Sequence, residues 1–294
     1  MPFTLSHPAA VLPLLRPPFS AAALVCGTIA PDVPYFLGAA GIPVSAQSWY
    51  EPFLNATTSH QLSGTAVPAV FGAALMAAYA VVRRPVAALL PAGLSPAGPH
   101  RRGRPLRRAG WSALSLAIGI LTHLVWDSFT HTDGYLVTHL DILRTHLAGD
   151  LTVARAAQHL STALGLVAIA VFLRRRLRGG APAGRDGEED TLSRAARRAV
   201  TAALTVVAVA GAAANTAPVK DYRAAGARDV TEALLSDWAT SGGAALACAV
   251  LTYAGGWWIH KALTPDRACS TPQHPPCTDD HQVTGDKNSA PRTL

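Results

Sequence analysis

The chain has 294 residues, of which 50% are hydrophobic and only 15% are charged, whereas an ordinary soluble domain carries about 25% charged residues. The formal net charge is +7, but the basic residues fall in blocks between long apolar stretches. This pattern argues against a soluble protein and against a nucleic-acid-binding surface, and it is typical of a chain whose helices cross a membrane.

The N-terminal sixty residues contain two short apolar runs, 8–15 and 19–30, on either side of Arg16-Pro17-Pro18. Each run is shorter than the roughly 20 residues that a helix needs to cross the hydrocarbon core. We therefore predict an N-terminal helical hairpin that dips into the outer leaflet, with its backbone hydrogen bonds satisfied within its helices.

Five later stretches are long and apolar enough to span a bilayer: 62–82, 110–128, 157–173, 199–217 and 240–261. They are rich in Ala, Gly and Val, which allow membrane helices to pack closely. The predicted fold is all-α, a polytopic transmembrane helix bundle. The membrane-embedded domain is predicted to cover residues 1–262, and the polar, Pro-containing segment 263–294 is predicted to be a disordered cytoplasmic tail.

The basic residues predict the orientation of the helices. Segments 83–109, 174–198 and 261–294 hold 19 of the 25 Lys and Arg residues. Short loops rich in Lys and Arg stay in the cytoplasm, so we predict that 83–109 and 174–198 are cytoplasmic loops and that the C-terminus is cytoplasmic. The five helices then alternate in direction across the cell's inner (plasma) membrane.

In this orientation, His and Asp residues collect at the extracytoplasmic ends of the helices. The strongest local pattern lies in segment 122–131, where His123, Asp127 and His131 follow one another at four-residue spacing. Residues four apart lie on one helix face, about 6 Å apart along the axis. Imidazole nitrogens and carboxylate oxygens are zinc donors, and ionisable groups at membrane depth are candidates for function.

Three further candidates are predicted to join this face: His7 and Asp32 bracket the hairpin, and His60 precedes the first spanning helix. We predict a divalent metal site built from some subset of six residues: His7, Asp32, His60, His123, Asp127 and His131. His159 remains open between ligand, partner of a ligand and structural polar residue. Trp126 is predicted to face away from the ligands, as an interfacial anchor in preference to the wall of a substrate pocket.

Several motifs carry a family resemblance. The opening MPFTLSHPAA, the run Gly27-Thr28-Ile29-Ala30-Pro31-Asp32, Ser59-His60, segment 122–131 with the following Asp133-Gly134, and Gln158-His159-Leu160-Ser161 resemble a bacterial integral membrane family catalogued as domain of unknown function 4184. The resemblance covers roughly residues 1–260.

A more distant similarity is to inner-membrane metal-dependent hydrolases. The order His, Asp, His, His-x-x-x-Asp, His also resembles that of zinc-dependent phospholipase C and the P1-type nucleases, which are all-helical enzymes with a three-zinc site. This resemblance implies that the six residues named above are metal ligands. His159 and Asp133 are further candidates for the site.

The leading functional hypothesis is a metal-dependent hydrolase that cleaves a phosphoester, such as a lipid-linked phosphate, at the lipid–water interface. It would hold two or three divalent ions, with zinc favoured, and Asp32 or Asp127 would bridge metals or act as the base. One alternative is a non-enzymatic metal-binding membrane protein for transport or assembly, although a transporter needs polar groups near the midplane with access to both sides. The second alternative is a structural subunit of a membrane complex, with no metal and no catalysis.

Overall fold

A computed structural model describes residues 4–42, 59–60, 64–90, 104–178, 192–214 and 227–264. In this part of the chain, six helical segments are long and apolar enough to cross a membrane by length and composition: Ala21–Ala39, Ala66–Leu89, Pro105–His139, Val153–Arg178, Arg194–Ala214 and Ala233–Leu263. The predicted all-α polytopic bundle is therefore confirmed, and the protein is a membrane protein.

The N-terminal segment folds as two short helices around Arg16-Pro17-Pro18. A 3₁₀ helix covers Thr4–Leu14 and contains Pro8 and Pro13, which lack the amide hydrogens of a regular α-helix. Helix α1 (Ala21–Ile29) begins after Ser20, whose hydroxyl oxygen accepts a hydrogen bond from the Ala23 N–H. A 3₁₀ turn (Ala30–Asp32) leads into α2 (Val33–Ala39). The helical run thus continues past Pro31, which explains why 21–39 is a sixth candidate span.

The hairpin reaches the middle of the bundle. The Ser20 N–H donates to the Ser115 hydroxyl at 3.0 Å, and Ser115 lies in helix α4 (Pro105–Thr130), about 15 Å along the axis from its first residue. Further on, Thr28 of α1 contacts His123 of α4. The two helices therefore run in the same direction, and the turn of the hairpin lies level with the middle of α4.

The later helices correspond to the five predicted spans. They are α3 (Ala66–Leu89), α4, α7 (Val153–Arg178), α8 (Arg194–Ala214) and α9 (Ala227–Leu263). Three contain their span, whereas α3 begins four residues after the start of 62–82 and α8 ends three residues before the end of 199–217. The helices continue into the basic segments because Arg is a good helix former once it has left the hydrocarbon core. Helix α4 begins at Pro105, where a missing N–H costs nothing. The predicted loop regions 91–103 and 179–191, and residues 265–294 of the predicted tail, lie outside the described residues.

Helices α1 and α4 pack closely because glycine faces glycine at their crossing. A Cβ atom on Gly119 would lie 2.3 Å from the Leu24 carbonyl oxygen, and one on Gly27 would lie 2.4 Å from the Leu116 carbonyl oxygen. Neither position has space for a side chain. Beside the crossing, Ala30, Ile120 and Leu124 form a buried apolar cluster. This contact fixes where the residues after α1 lie relative to the end of α4.

A short segment outside the main helices joins α4 to α7. It consists of α5 (Tyr135–His139), α6 (Asp141–Arg144) and an antiparallel pair of strands, β1 (His146–Ala148) and β2 (Leu151–Thr152). We call residues 135–152 the surface segment. Helix α5 packs on α4, whereas α6 and β2 pack on α7.

Candidate metal centre

The fold brings all six predicted metal-site residues together at the end of α4. The 3₁₀ helix contributes His7, the 3₁₀ turn contributes Asp32, and His60 precedes α3. Helix α4 contributes His123 and Asp127, and His131 is its C-cap. Each of the six lies within 4 Å of another through a polar side-chain atom.

Four of the six form a compact centre. Asp32, His60, His123 and Asp127 each offer one ligand atom, and these four atoms all lie within 4.8 Å of one another. The Asp127 Oδ2 atom is 3.0 Å from His123 Nε2 and 3.4 Å from His60 Nε2. The Asp32 Oδ1 atom is 3.3 Å from His60 Nε2 and 3.6 Å from His123 Nε2. This group of two His and two Asp residues could bind a metal ion.

The other two histidines flank Asp127. His7 Nε2 lies 3.6 Å from Asp127 Oδ1, and the His7 ring stacks on His123 with 3.9 Å between centroids. His131 Nε2 lies 3.5 Å from Asp127 Oδ2. Although α4 ends at Thr130, the His131 N–H still donates to the Asp127 carbonyl at 2.9 Å. The four-residue spacing therefore keeps its geometry through His131.

Hydrogen bonds on the far side of two imidazoles fix their tautomers. His123 Nδ1 lies 2.7 Å from the Thr28 carbonyl oxygen, which can only accept, so Nδ1 donates. The Ser59 hydroxyl donates to the Pro31 carbonyl at 2.8 Å, so its oxygen accepts from His60 Nδ1 at 3.1 Å. In the neutral rings, both Nε2 lone pairs then face the centre. Backbone and hydroxyl contacts of this kind orient the ligands of metal sites.

The chemistry of the donor atoms fits a cation. The two Nε2 atoms of His60 and His123 are 3.3 Å apart, so two lone pairs would oppose each other without a positive charge between them. Within the described residues, five buried atoms of the six side chains have no hydrogen-bond partner: His7 Nε2, both Asp32 oxygens, Asp127 Oδ1 and His131 Nε2. Buried polar atoms are rarely left unpaired. A divalent ion would satisfy them and offset the two carboxylate charges.

Burial also keeps His7 in the form that can bind a metal. Desolvation by burial lowers the pKa of His7 from its usual 6.5 to about 4. Its imidazole is therefore neutral at physiological pH and offers a lone pair. Metal ligation requires the neutral ring, since a proton and a metal ion compete for the same nitrogen.

The centre is closed towards the middle of the bundle and partly open at the end of α4. The side chains of Asp32 and His123 are 2% and 0% exposed, whereas those of His60 and His131 are 17% and 21% exposed. The rings of Tyr35 and His60 meet at 61°, with 6.0 Å between their centroids. The apolar cluster beside the Gly27–Gly119 crossing lies on the closed side.

The remaining predicted residues lie outside the four-residue group. Asp133 Oδ1 is 3.9 Å from His131 Nδ1, but the Asp133 side chain is almost fully exposed. His159 is half-buried in the second turn of α7. Trp126 is exposed, and its Nε1 donates to the Ser161 hydroxyl of α7 at 3.2 Å. As predicted, Trp126 faces a neighbouring helix and the surface, not the ligands.

Sequence reasoning did not assign roles to Thr28 and Ser59. Thr28 acts through its backbone carbonyl, which no side-chain pattern can reveal. Ser59 orients His60 through its hydroxyl, and its position directly before a candidate ligand was the only available signal. Both belong to motifs that carried the family resemblance.

The fold and this centre define a polytopic membrane protein with a buried His/Asp group that could bind a metal ion. The chain belongs to the family described as "Domain of unknown function (DUF4184)", whose model matches residues 1–255. No curated protein and no solved structure matches the chain.

Proposed function

We propose that this protein is a membrane-embedded, metal-dependent hydrolase that cleaves a phosphoester at the extracytoplasmic face of the cell membrane. The observation that carries the proposal is the convergence of four imidazoles and two carboxylates, with five buried atoms that have no hydrogen-bond partner in the described part of the chain. A structural role alone gives no reason to bury this many unpaired polar atoms.

The donor set favours zinc and more than one ion. Imidazole nitrogen and carboxylate oxygen are common zinc ligands. The two oxygens of Asp127 face different histidines: Oδ1 faces His7, while Oδ2 faces His60, His123 and His131. A carboxylate with this arrangement suits a bridge between two ions. Asp32, His60, His123 and His131 would hold one ion beside Oδ2, and His7 would help to hold the other beside Oδ1.

The residues would then divide the chemistry among them. When bound, divalent ions would lower the pKa of water and polarise a phosphoryl oxygen. Asp32, which is 1% exposed, would accept a proton from the attacking water or hold that water in position for attack. The stack of His7 on His123 and the Thr28 and Pro31 carbonyls would keep the imidazoles aligned. The partly exposed edge at His60 and His131 would admit the phosphate.

The position of the centre favours a substrate that is carried by a lipid. The centre lies among helices of membrane-spanning length, where the end of α4 meets the surface segment. A phosphate attached to a lipid would reach this depth with its hydrocarbon chain still in the bilayer.

Transport of the metal is the alternative role for the same residues. A transporter requires access to its site from both sides, whereas the Gly27–Gly119 crossing and the buried Ile120 close the inner side. This arrangement favours a site with one opening. A protein that binds the metal stoichiometrically but hydrolyses no phosphoester would support the non-enzymatic alternative.

The test measures bound metal and hydrolysis in the purified protein. We expect His60→Ala, His123→Ala and Asp127→Ala each to lower the zinc content measured by mass spectrometry, because each removes an atom of the compact centre. The same variants should lose hydrolysis of bis-p-nitrophenyl phosphate and of phosphatidic acid in mixed micelles, by about 100-fold or more.

His139→Ala is the matched control. His139 lies on the same side of the bundle, but it is exposed and stacks on Tyr135. It should retain both metal and activity, and membrane insertion should be equal in all variants. Full metal retention in all three ligand variants would reject the metal centre, and unchanged hydrolysis in variants that have lost metal would reject the catalytic role.

A further inference from the structure

The surface segment, residues 135–152, exposes large apolar side chains where the chain passes from α4 to α7. Tyr135 and Ile142 are 69% and 70% exposed, Leu147 is 59% exposed and Leu140 is 42% exposed. They come from α5, α6, β1 and the residue between the two helices. Apolar side chains grouped on a surface in this way mark a contact with a partner or a membrane.

Both ends of the surface segment are held against the helices that flank it. The segment starts after α4 and ends at α7, and both helices belong to candidate spans. The Val153 N–H donates to the Thr145 carbonyl at 3.0 Å, which ties the strand pair to the first residue of α7. Since α5 packs on α4, and α6 and β2 pack on α7, the segment lies along the ends of the bundle and does not project from it.

The two flanking helices also expose apolar side chains. Leu121, Val125 and Phe129 are exposed along α4, and Leu160, Leu164 and Val167 are exposed along α7. Exposed leucines and valines on spanning helices face lipid. The surface segment thus joins two apolar faces that the bilayer already covers, and the occupant that fits it is the same bilayer.

The polar groups of the surface segment match the headgroup layer. Tyr135 stacks on His139 with 4.2 Å between ring centroids, and Arg144 forms an ion pair with Asp141. Tyrosine is enriched where membrane meets water, because it combines an apolar ring with a polar tip. Charged groups one or two residues from exposed leucines and isoleucines are typical of segments that lie in the interface plane.

We infer that residues 135–152 rest in the interfacial layer of the lipid bilayer, with Tyr135, Leu140, Ile142 and Leu147 immersed among the lipid chains nearest the headgroups. This inference goes beyond the proposed hydrolase and does not depend on a bound metal. Since His131 precedes the segment by four residues, the contact also places the open edge of the metal centre at headgroup depth.

The test uses a fluorescent probe at single positions. The four native cysteines are replaced, and Ile142→Cys or Leu147→Cys is labelled with an environment-sensitive fluorophore in the full chain, reconstituted into phosphatidylcholine vesicles. The matched control is Asp150→Cys, in the exposed turn between β1 and β2. We expect blue-shifted emission at 142 and 147, and several-fold stronger quenching by lipids spin-labelled near the headgroup than at 150.

Two results would overturn the inference. One is equal emission and equal quenching at 142, 147 and 150, which would place the whole segment in water. The other is shielding at 142 that follows protein concentration instead of lipid quencher, which would assign the surface to a second copy of the chain. Thermal unfolding of each labelled variant tests whether the fold is intact. Labelling at both 142 and 147 tests whether a result is specific to one substitution.

Discussion

Ser59 shows how a residue that touches no metal can control a metal site. Its hydroxyl donates to Pro31 and accepts from His60 Nδ1, which leaves His60 Nε2 directed at the two carboxylates. Without this contact, the ring could rotate or carry its proton on the other nitrogen. The Pro31 carbonyl thus sets the orientation of the His60 ring through the Ser59 hydroxyl.

Ser59→Ala should therefore weaken metal binding while every ligand remains. Loss of such an orienting contact costs about 10- to 100-fold in metal affinity, and competition with a calibrated zinc chelator would measure it. Ser128→Ala serves as the control, because Ser128 is half-buried in α4 and its hydroxyl donates to the Val125 carbonyl, away from the ligands. Equal affinities in both variants would contradict the orienting role.

Trp126 stands on the other face of α4 and anchors α4 to α7 through Ser161. Its ring also borders a cavity of about 320 Å³ that is lined by Ala10, Ile118, Leu121, Thr122 and Val125. We expect Trp126→Phe to lower stability slightly, because one exposed hydrogen bond is lost, and to leave hydrolysis within a few-fold of the wild type. A large loss of turnover at unchanged metal content would instead place Trp126 in the substrate site.

Among the elements, the contact between α1 and α4 sets the geometry of the centre. Asp32 follows α1 directly, and His123 and Asp127 lie on α4. Any change in the separation of the two helices therefore changes the distances between these ligands. Gly27 and Gly119 allow a backbone separation that no larger residue permits.

Gly119→Ala is expected to lower both stability and metal affinity. The new Cβ would lie 2.3 Å from the Leu24 carbonyl oxygen, so the helices must move apart, at a cost of about 1–3 kcal/mol. Gly110→Ala in the same helix is the control, since a Cβ there meets no atom within 4 Å. Thermal unfolding in detergent and zinc titration would measure the two effects. An unchanged midpoint and affinity in Gly119→Ala would show that the crossing does not control the centre.

The elements that the sequence predicted well are those with a physical pattern. Apolar runs of spanning length predicted five helices, and four-residue spacing placed His123, Asp127 and His131 on one face. The extension of α1 past Pro31 was not predicted, because proline is read as a helix end, whereas a 3₁₀ turn carries the chain into α2. The surface segment was also missed, since its elements have two to five residues.

The distances inside the centre could not be predicted at all. They depend on which helices are neighbours, and nothing in the spacing of residues 7, 32, 60 and 123 reveals that α1 runs beside α4. The gathering of the six residues was predicted from membrane topology, from the four-residue spacing in α4 and from the family resemblance, none of which gives a distance. The contact between Gly27 and Gly119 shows that α1 and α4 are neighbours, and only the folded chain reveals it.

At the scale of the whole molecule, the distribution of charge predicts the orientation of the bundle in the membrane. Basic residues lie at the starts of α4 and α8 and at the ends of α3, α7 and α9, so one end of the bundle is strongly cationic. Two cation–π contacts lie at this end: Arg84 lies over Trp258, and Lys261 lies over Trp257. The metal centre is at the other end. Since Lys and Arg are retained in the cytoplasm, the centre should face outwards.

Labelling of introduced cysteines in intact cells would test this orientation. In a chain without its native cysteines, Ser95→Cys and Ala183→Cys should be shielded from a membrane-impermeant thiol reagent, and Ala225→Cys should react. All three should react after the cells are permeabilised, which controls for accessibility. Reaction at position 95 from outside would reverse the orientation and move the centre to the cytoplasmic face.

The gradient of burial across the centre has a kinetic consequence. Asp32 and His123 lie at the closed end, so an ion bound there would leave past the more exposed His60 and His131, beside the ring of Tyr35. Exchange with the medium should be limited by movement of that ring, and a tightly held ion would then be released slowly even to a strong chelator. Tyr35→Ala should shorten the half-time of zinc removal at unchanged zinc stoichiometry. Slow release would let the protein keep its metal through periods when the surrounding medium contains none.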